Sequence, residues 1–85
     1  MPHYLLFSRS ITHAQRMRSS LETVGIQSRI LRPPAGLSDK GCSYAVRILE
    51  KGFESSMVRL RETNLLPVRV FYTLGDGVYR EIGPR

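Results

Sequence analysis

The fold is decided by a stretch near the start of the chain, YLLFSRSITHAQRMRSSLETVG, which spans residues 4–25. Its first part, Tyr4 to Ser8, is a short apolar run with little alternation, a pattern typical of a strand that is buried on both faces. The next part predicts a helix, because its apolar residues recur at helical spacing: Ala14, Met17, Leu21 and Val24. A strand that leads into an amphipathic helix is a common opening unit of mixed α and β domains.

Both ends of this helix carry sequence signals. Thr12 and Gln15 lie three positions apart and fit a capping box, in which the two side chains satisfy backbone N–H groups of the first turn. Gly25 suits the position just after the helix, where a left-handed backbone favours glycine. We therefore expect a helix that is capped by Thr12 and stopped by Gly25.

The rest of the chain continues the same alternation of elements. Four further segments are predicted: a strand over Ile26–Leu31, a strand over Tyr44–Leu49, a helix over Phe53–Thr63 and a strand over Val68–Thr73. Between the first two lies a loop, residues 32–41, because its two prolines and two glycines suit neither a helix nor a ladder. A turn signal at residues 75–77 then lets Val78–Ile82 return as an edge strand or stay unpaired.

The order β-α-β-β-α-β predicts an α+β domain with a ferredoxin-like, two-layer arrangement. In that arrangement two helices cover one face of a four-stranded antiparallel sheet, and the C-terminal segment can add an extra edge strand. Eighty-five residues leave room for one hydrophobic core, so we expect a single domain over residues 1–85.

Composition and charge narrow the class of protein. Hydrophobic residues at 41% and charged residues at 24% are ordinary for a folded domain. The net charge is +6, and residues 1–49 contain seven basic against two acidic side chains. This basic half serves solubility alone, or it attracts an anion, an acidic protein surface or a nucleic-acid backbone.

The chain is expected to work in the cytoplasm. Its one cysteine cannot form an internal disulfide, which favours a reducing compartment. The apolar run Tyr4 to Phe7 is too short for the core of a signal peptide, and no stretch approaches the roughly 20 apolar residues that span a bilayer. We expect no membrane association, and the predicted edge strand leaves a dimer open.

The one cysteine, Cys42, is the best candidate for reactive chemistry. Strands one and two run in the same direction, so the turn after strand one and the loop before strand three meet at one edge of the sheet. A helix N-terminus and nearby cations lower a thiol pKa from about 8.5 to a range of roughly 3.5–7.5. The predicted environment of the thiolate comprises Gly41, Ser43, Lys40, Arg32, Arg9, Ser10, Thr12 and His13. The alternative is that Cys42 is structural, the first inward residue of strand three.

Other chemistries find less support in the sequence. His13 could act as a base for the thiol, or it could be an exposed residue of the first helical turn. One cysteine and two histidines far apart do not assemble a tetrahedral metal site, so we expect no metal and no cofactor. The strands expected at the centre of the sheet contain only Tyr4, Phe7 and Tyr44 as aromatics, too few to indicate base stacking, although loose contact with a phosphate backbone stays open.

Two segments resemble a known bacterial family. These are residues 4–14, YLLFSRSITHA, and the loop that runs from Arg32-Pro33-Pro34 to GCSYAVR at residues 41–47. Over about residues 4–73 the chain resembles the putative selenium/sulfur carrier-like proteins. That resemblance implies that Cys42 accepts a sulfane sulfur or selenium as a persulfide or selenopersulfide, with a donor such as a cysteine desulfurase and an acceptor protein as partners. The family commonly has glycine after this cysteine, where the chain has Ser43.

Three functional hypotheses follow. The first is a carrier, rather than a catalyst, that uses Cys42. The second is a basic binding module that contacts RNA or an acidic protein, with Cys42 structural. The third is a thiol enzyme that uses His13 as its base.

Overall fold

A computed structural model describes residues 1–34, 36–37 and 44–83 of the chain. Within these residues the protein is α+β, with two α-helices, one short 3-10 turn and a five-stranded antiparallel sheet. The elements are β1 (His3–Ser8), α1 (Ile11–Thr23), β2 (Arg29–Leu31), β3 (Tyr44–Leu49), a 3-10 turn (Glu50–Gly52), α2 (Phe53–Glu62), β4 (Arg69–Thr73) and β5 (Tyr79–Gly83). The predicted α+β class, with two helices and an antiparallel sheet, is confirmed.

The sheet has the strand order β2-β3-β1-β4-β5, and every neighbouring pair is antiparallel. β1 lies at its centre, with Ser8 opposite Tyr44 of β3 and Leu6 opposite Val70 of β4. The sheet therefore has five strands, the four predicted ones and the extra edge strand that the sequence left open, because the C-terminal segment returns and pairs with β4. Its turn needs positive φ angles of 95° and 87°, which Gly75 and Gly77 supply without the steric penalty of a side chain.

Both helices pack on the same face of the sheet. The buried side chains of this core come from α1, α2 and the three central strands: Leu6, Ala14, Met17, Leu21, Val46, Ile48, Phe53, Met57, Leu60 and Val70. Tyr4 adds to it by stacking on Phe53, with ring centroids 3.9 Å apart. Burial of each large side chain in this set contributes about 1.5–3 kcal/mol. Among the described residues, no helix is both long and apolar enough to cross a membrane.

The opposite face of the sheet is also partly covered. Leu5, Phe7, Ala45 and Phe71 are buried there, with Leu31, Leu37, Val68 and Tyr79 packed around them. The guanidinium of Arg69 lies 5.0 Å from the ring centroid of Phe71 and 5.8 Å from that of Phe7. Leu37, which follows β2 in the chain, thus packs on the face that the helices leave free.

Two predictions about the C-terminal end of α1 are wrong: the burial of Val24 and the start of β2. Val24 is 49% exposed and forms the C-cap, so it does not join Ala14, Met17 and Leu21 in the core. The Gly25 N–H donates to the Glu22 carbonyl at 3.0 Å, and the Ile26 N–H donates to the Leu21 carbonyl at 2.9 Å. This is a Schellman motif, with Gly25 at φ 79° as predicted. Because Ile26 completes the motif and packs against the core, β2 starts only at Arg29, three residues later than predicted.

Candidate functional site

Ser8 lies at the end of β1, beside the first residue of β3, and its side chain binds the backbone there. This residue is only 2% exposed. Its Oγ faces two carbonyls, that of Tyr44 at 2.9 Å and that of Ser10 at 3.0 Å, and donates its single proton to them. These carbonyls therefore lie within about 6 Å of each other. The start of β3 is thus tied to the turn that leads into α1.

The first turn of α1 is capped by Ser10. Its backbone is extended, with φ −159° and ψ 170°, and its Oγ accepts a hydrogen bond of 3.1 Å from the His13 N–H. The prediction that Thr12 caps the helix is therefore wrong. Thr12 is an exposed residue within the first turn, because the helix already begins at Ile11. Ser10 is an equally good N-cap residue, and its carbonyl is held by Ser8, which places the cap two residues earlier.

The side chain of His13 also binds the backbone of the turn between β1 and α1. Its Nδ1 accepts a hydrogen bond of 3.0 Å from the Arg9 N–H. Burial lowers the pKa of His13, the charge of Arg9 lowers it further, and a hydrogen bond with the Leu65 backbone acts in the opposite direction. Because Nδ1 accepts this hydrogen bond, the neutral form of the ring carries its proton on Nε2. To act as a base through Nδ1, His13 would have to release the Arg9 amide, so its role in thiol chemistry stays a prediction.

Arg32 lies where the chain leaves β2 and contacts the first residue of β3. Its guanidinium carbon is 5.1 Å from the centroid of the Tyr44 ring, and Nη2 donates to the Tyr44 hydroxyl at 3.4 Å. Such an exposed cation–π contact contributes about 0.5–1 kcal/mol. It holds a positive charge at the end of the sheet where Ser8 binds the Tyr44 carbonyl.

Arg69 binds the backbone of Leu37 on the face of the sheet opposite the helices. Its Nη1 donates to the Leu37 carbonyl at 3.1 Å, while Nε and Nη2 each bind a carboxylate oxygen of Glu81 at 2.9 Å. The hydrogen bonds from Arg69 hold the pKa of Glu81 below its usual value, against the smaller effect of burial. One guanidinium therefore connects β4, β5 and Leu37.

A family model described as putative Se/S carrier protein-like matches residues 3–72. The chain belongs to this family. The resemblance over residues 4–73 is thereby confirmed, and the match runs from the first residue of β1 to Tyr72 in β4. β5 lies beyond the matched region. No curated protein and no solved structure matches the chain.

The predicted site of this Se/S carrier-like protein is only partly within the described residues. The structure brings Arg9, Ser10 and His13 into one turn, next to the entry of β3, and holds Arg32 against Tyr44. Thr12 lies in the same turn without a capping role. The predicted residues Lys40, Gly41, Cys42 and Ser43 lie outside the described residues.

Three residues that shape this region were missed by the sequence-based prediction: Ser8, Tyr44 and Arg69. A signal existed for the first two. Ser8 is the small polar residue that ends an apolar strand, and Tyr44 begins the alternating pattern of β3. Arg69 has no such signal, because its partners Leu37 and Glu81 are distant in sequence and are brought together only by the sheet.

Proposed function

We propose that this Se/S carrier-like protein carries one sulfur or selenium atom on Cys42 and passes it to an acceptor protein. The observation that carries the proposal is the family match over residues 3–72, which includes the chain's one cysteine. A carrier of this kind needs an accessible nucleophile and neither a metal nor a cofactor. The protein is a carrier rather than a catalyst under this proposal, and it works in the cytoplasm, where thiols stay reduced.

Loading and unloading are two thiolate exchanges that balance without an added oxidant or reductant. The Cys42 thiolate attacks the terminal sulfur of a donor persulfide, such as that of a cysteine desulfurase. A bond forms between Sγ and the terminal sulfur, the donor's S–S bond breaks, and the donor thiolate leaves with the electron pair. An acceptor thiolate then attacks the terminal sulfur on Cys42, and the Cys42 thiolate is released. Selenium follows the same route as a selenopersulfide.

The described neighbourhood supports a reactive thiolate. Cys42 is two residues from Tyr44, so the two Cα atoms are separated by about 7.6 Å at most. The carbonyl of Tyr44 is bound by Ser8 beside the N-terminal turn of α1. Exposed cations at this end of the sheet, Arg9 and Arg32, and the positive end of the α1 dipole would favour the thiolate over the thiol.

The strand order of the sheet supports a ferredoxin-like fold. β1 lies between β3 and β4, β2 pairs with β3 at one edge, and both helices cover one face. We infer a ferredoxin-like arrangement extended at the β4 edge by β5. In this arrangement the turn after β1 and the first residue of β3 lie at the same end of the sheet, which is where we propose that a donor or acceptor protein binds.

The test is intact-mass spectrometry of the reduced protein after incubation with a cysteine desulfurase and cysteine. We expect a mass increase of one sulfur atom, reversed by a thiol reductant. The Cys42→Ser variant is a complete control, because no second cysteine exists to be loaded. A wild-type protein that gains no sulfur, or a Cys42 that alkylates only after denaturation, would overturn the proposal.

The environment of the thiolate has its own measurement, the pH dependence of the alkylation rate. Arg9→Gln and Arg32→Gln should each raise the apparent pKa of the Cys42 thiol, because each removes a cation near the entry of β3. Arg80→Gln removes the same charge from an exposed residue of β5 and should leave this pKa unchanged. If all three variants behave alike, the effect is one of net charge, and the proposed environment is wrong.

A further inference from the structure

The face of the sheet opposite the helices is basic where β2 and β3 form its edge. Arg29 of β2 lies directly opposite Arg47 of β3, so both side chains lie on the same face. The next pair on this face is Leu31 and Ala45, and Leu31 packs beside the buried cluster there. Leu49, two residues after Arg47, lies on this face as well. We call Arg29, Leu31, Arg47 and Leu49 the β2–β3 surface.

The two arginines of this surface have no carboxylate partner among residues 1–34, 36–37 and 44–83, where the one ion pair joins Arg69 and Glu81. Opposite Cα atoms in antiparallel strands are about 4.5–5.5 Å apart, so the two positive side chains start from adjacent positions. Like charges placed directly opposite are destabilising. A carboxylate from another molecule would remove this repulsion.

Apolar side chains lie on either side of the arginine pair. Leu31 lies towards the Tyr44 end of the sheet, and Leu49 lies towards the opposite end. Both leucines are half-buried, so part of their apolar surface meets solvent. Arginine next to apolar side chains is a composition enriched at the centre of protein–protein interfaces.

The net charge of the protein lies on the same side of the molecule. Residues 1–34 and 44–49, which form β1, α1, β2 and β3, contain six arginines and one acidic side chain, Glu22. Residues 50–83, which form α2, β4 and β5, contain five basic and five acidic side chains. Uncompensated charge raises the rate of encounter with a partner of opposite charge. An acidic partner is therefore attracted to the β2–β3 edge of the sheet rather than to the β5 edge.

We propose that the β2–β3 surface binds an acidic segment of a partner protein, in which apolar side chains flank a carboxylate. The carboxylate accepts paired hydrogen bonds from a guanidinium group and offsets the repulsion between Arg29 and Arg47. The apolar side chains of the partner cover Leu31 and Leu49. Binding of this kind does not depend on the chemistry of Cys42.

Two other occupants match this surface less well. A second copy of the chain has no acidic element to contribute from its described residues, since residues 50–83 are balanced in charge and the others are basic. RNA supplies negative charge but no apolar side chains for the two leucines. Tyr44, the one aromatic residue of β2 and β3, lies on the opposite face against Arg32, so this surface has no ring on which a base could stack.

The test follows backbone amide NMR shifts during titration at constant ionic strength with three probes of equal net charge: a peptide of glutamate and leucine, a peptide of glutamate and serine, and a uridine oligonucleotide. We expect saturable shifts at Arg29, Leu31, Arg47 and Leu49 with the glutamate–leucine peptide, and binding at least fivefold weaker for the other two. Arg29→Gln and Arg47→Gln should each weaken binding of this peptide at least tenfold. Equal or tighter binding of either other probe would overturn the proposal.

Matched variants separate this surface from the effect of net charge. Arg16→Gln in α1 and Arg61→Gln in α2 remove the same charge from exposed positions of the helices and should change the affinity less than twofold. Losses in these two variants equal to the loss in Arg47→Gln would overturn the proposal. Cys42→Ser should leave peptide binding unchanged, so failure of the carrier proposal would not affect this one.

Thermal unfolding of the same variants tests the repulsion itself. Arg29→Gln and Arg47→Gln each remove one of two like charges that lie directly opposite, so each variant should fold and keep or raise the Tm. A lower Tm in both variants would show that the pair already has a stabilising partner within the protein, and would contradict the proposal.

Discussion

The N-cap of α1 offers the sharpest test of the structure, because two residues compete for the role. The structure assigns it to Ser10, whose Oγ accepts from the His13 N–H at 3.1 Å. The capping-box pattern instead assigns it to Thr12, which lies exposed in the first turn. Replacing each residue by alanine should therefore destabilise the protein at Ser10 but not at Thr12.

The magnitudes follow from the position of each residue. Ser10→Ala removes the one side-chain acceptor of the cap and should lower the free energy of unfolding by about 1 kcal/mol, within the usual 0.5–2 kcal/mol. For a domain of this size that is a fall in Tm of about 4–8 °C. Thr12→Ala replaces threonine inside a helix with the best helix former, so stability should stay the same or rise by up to about 0.7 kcal/mol.

Urea and thermal unfolding followed by far-UV circular dichroism measure both effects. Ser10→Gly serves as the matched control, because glycine at the N-cap costs only a few tenths of a kcal/mol. Ser10→Ala should therefore be less stable than Ser10→Gly. A loss of about 1 kcal/mol in Thr12→Ala, with Ser10→Ala unchanged, would refute the assignment of the cap.

Two further predictions concern the same end of the sheet. Ser8→Ala should cost about 0.5–1.5 kcal/mol in urea unfolding, because it removes the hydroxyl that binds the Tyr44 and Ser10 carbonyls, of which the Ser10 carbonyl keeps the Ala14 N–H at 3.0 Å. Ser19→Ala on the exposed face of α1 should stay within about 0.5 kcal/mol, and equal effects would contradict the role of Ser8. The lowered pKa of His13 makes its contribution to stability complete above the unfolded pKa of about 6.5 and lost as pH falls towards the folded value. His13→Gln should therefore flatten the dependence of unfolding free energy on pH below about 6.5, and an unchanged slope would show that another group is responsible.

Much of the fold could be predicted because its elements are encoded by local pattern. β3 begins and ends at the predicted residues, Tyr44–Leu49, since its alternation of inward and outward side chains is uninterrupted. α2 begins at Phe53 as predicted and ends one residue early, with Thr63 as its C-cap. Where two local signals compete, as with Ser10 and Thr12, the pattern alone does not decide.

The candidate site was less predictable, because its key contacts join distant parts of the chain. Topology correctly brought the turn after β1 next to the entry of β3. It did not show that Ser8 would bind the Tyr44 carbonyl, 36 positions away, or that Arg69 would bind Leu37, 32 positions away. Both bonds depend on strand register, and a one-residue shift in register turns a side chain to the other face.

The residues on either side of the cysteine segment, Leu37 and Tyr44, are bound in a way that does not depend on their side chains. At Leu37 and at Tyr44 the chain is bound through its backbone carbonyl, by Arg69 and Ser8 respectively. A carbonyl is present whatever the side chain is, so mutations in the segment between these residues leave both attachments in place. Side chains between Leu37 and Tyr44 can therefore be replaced without removing the acceptor that Arg69 or Ser8 binds.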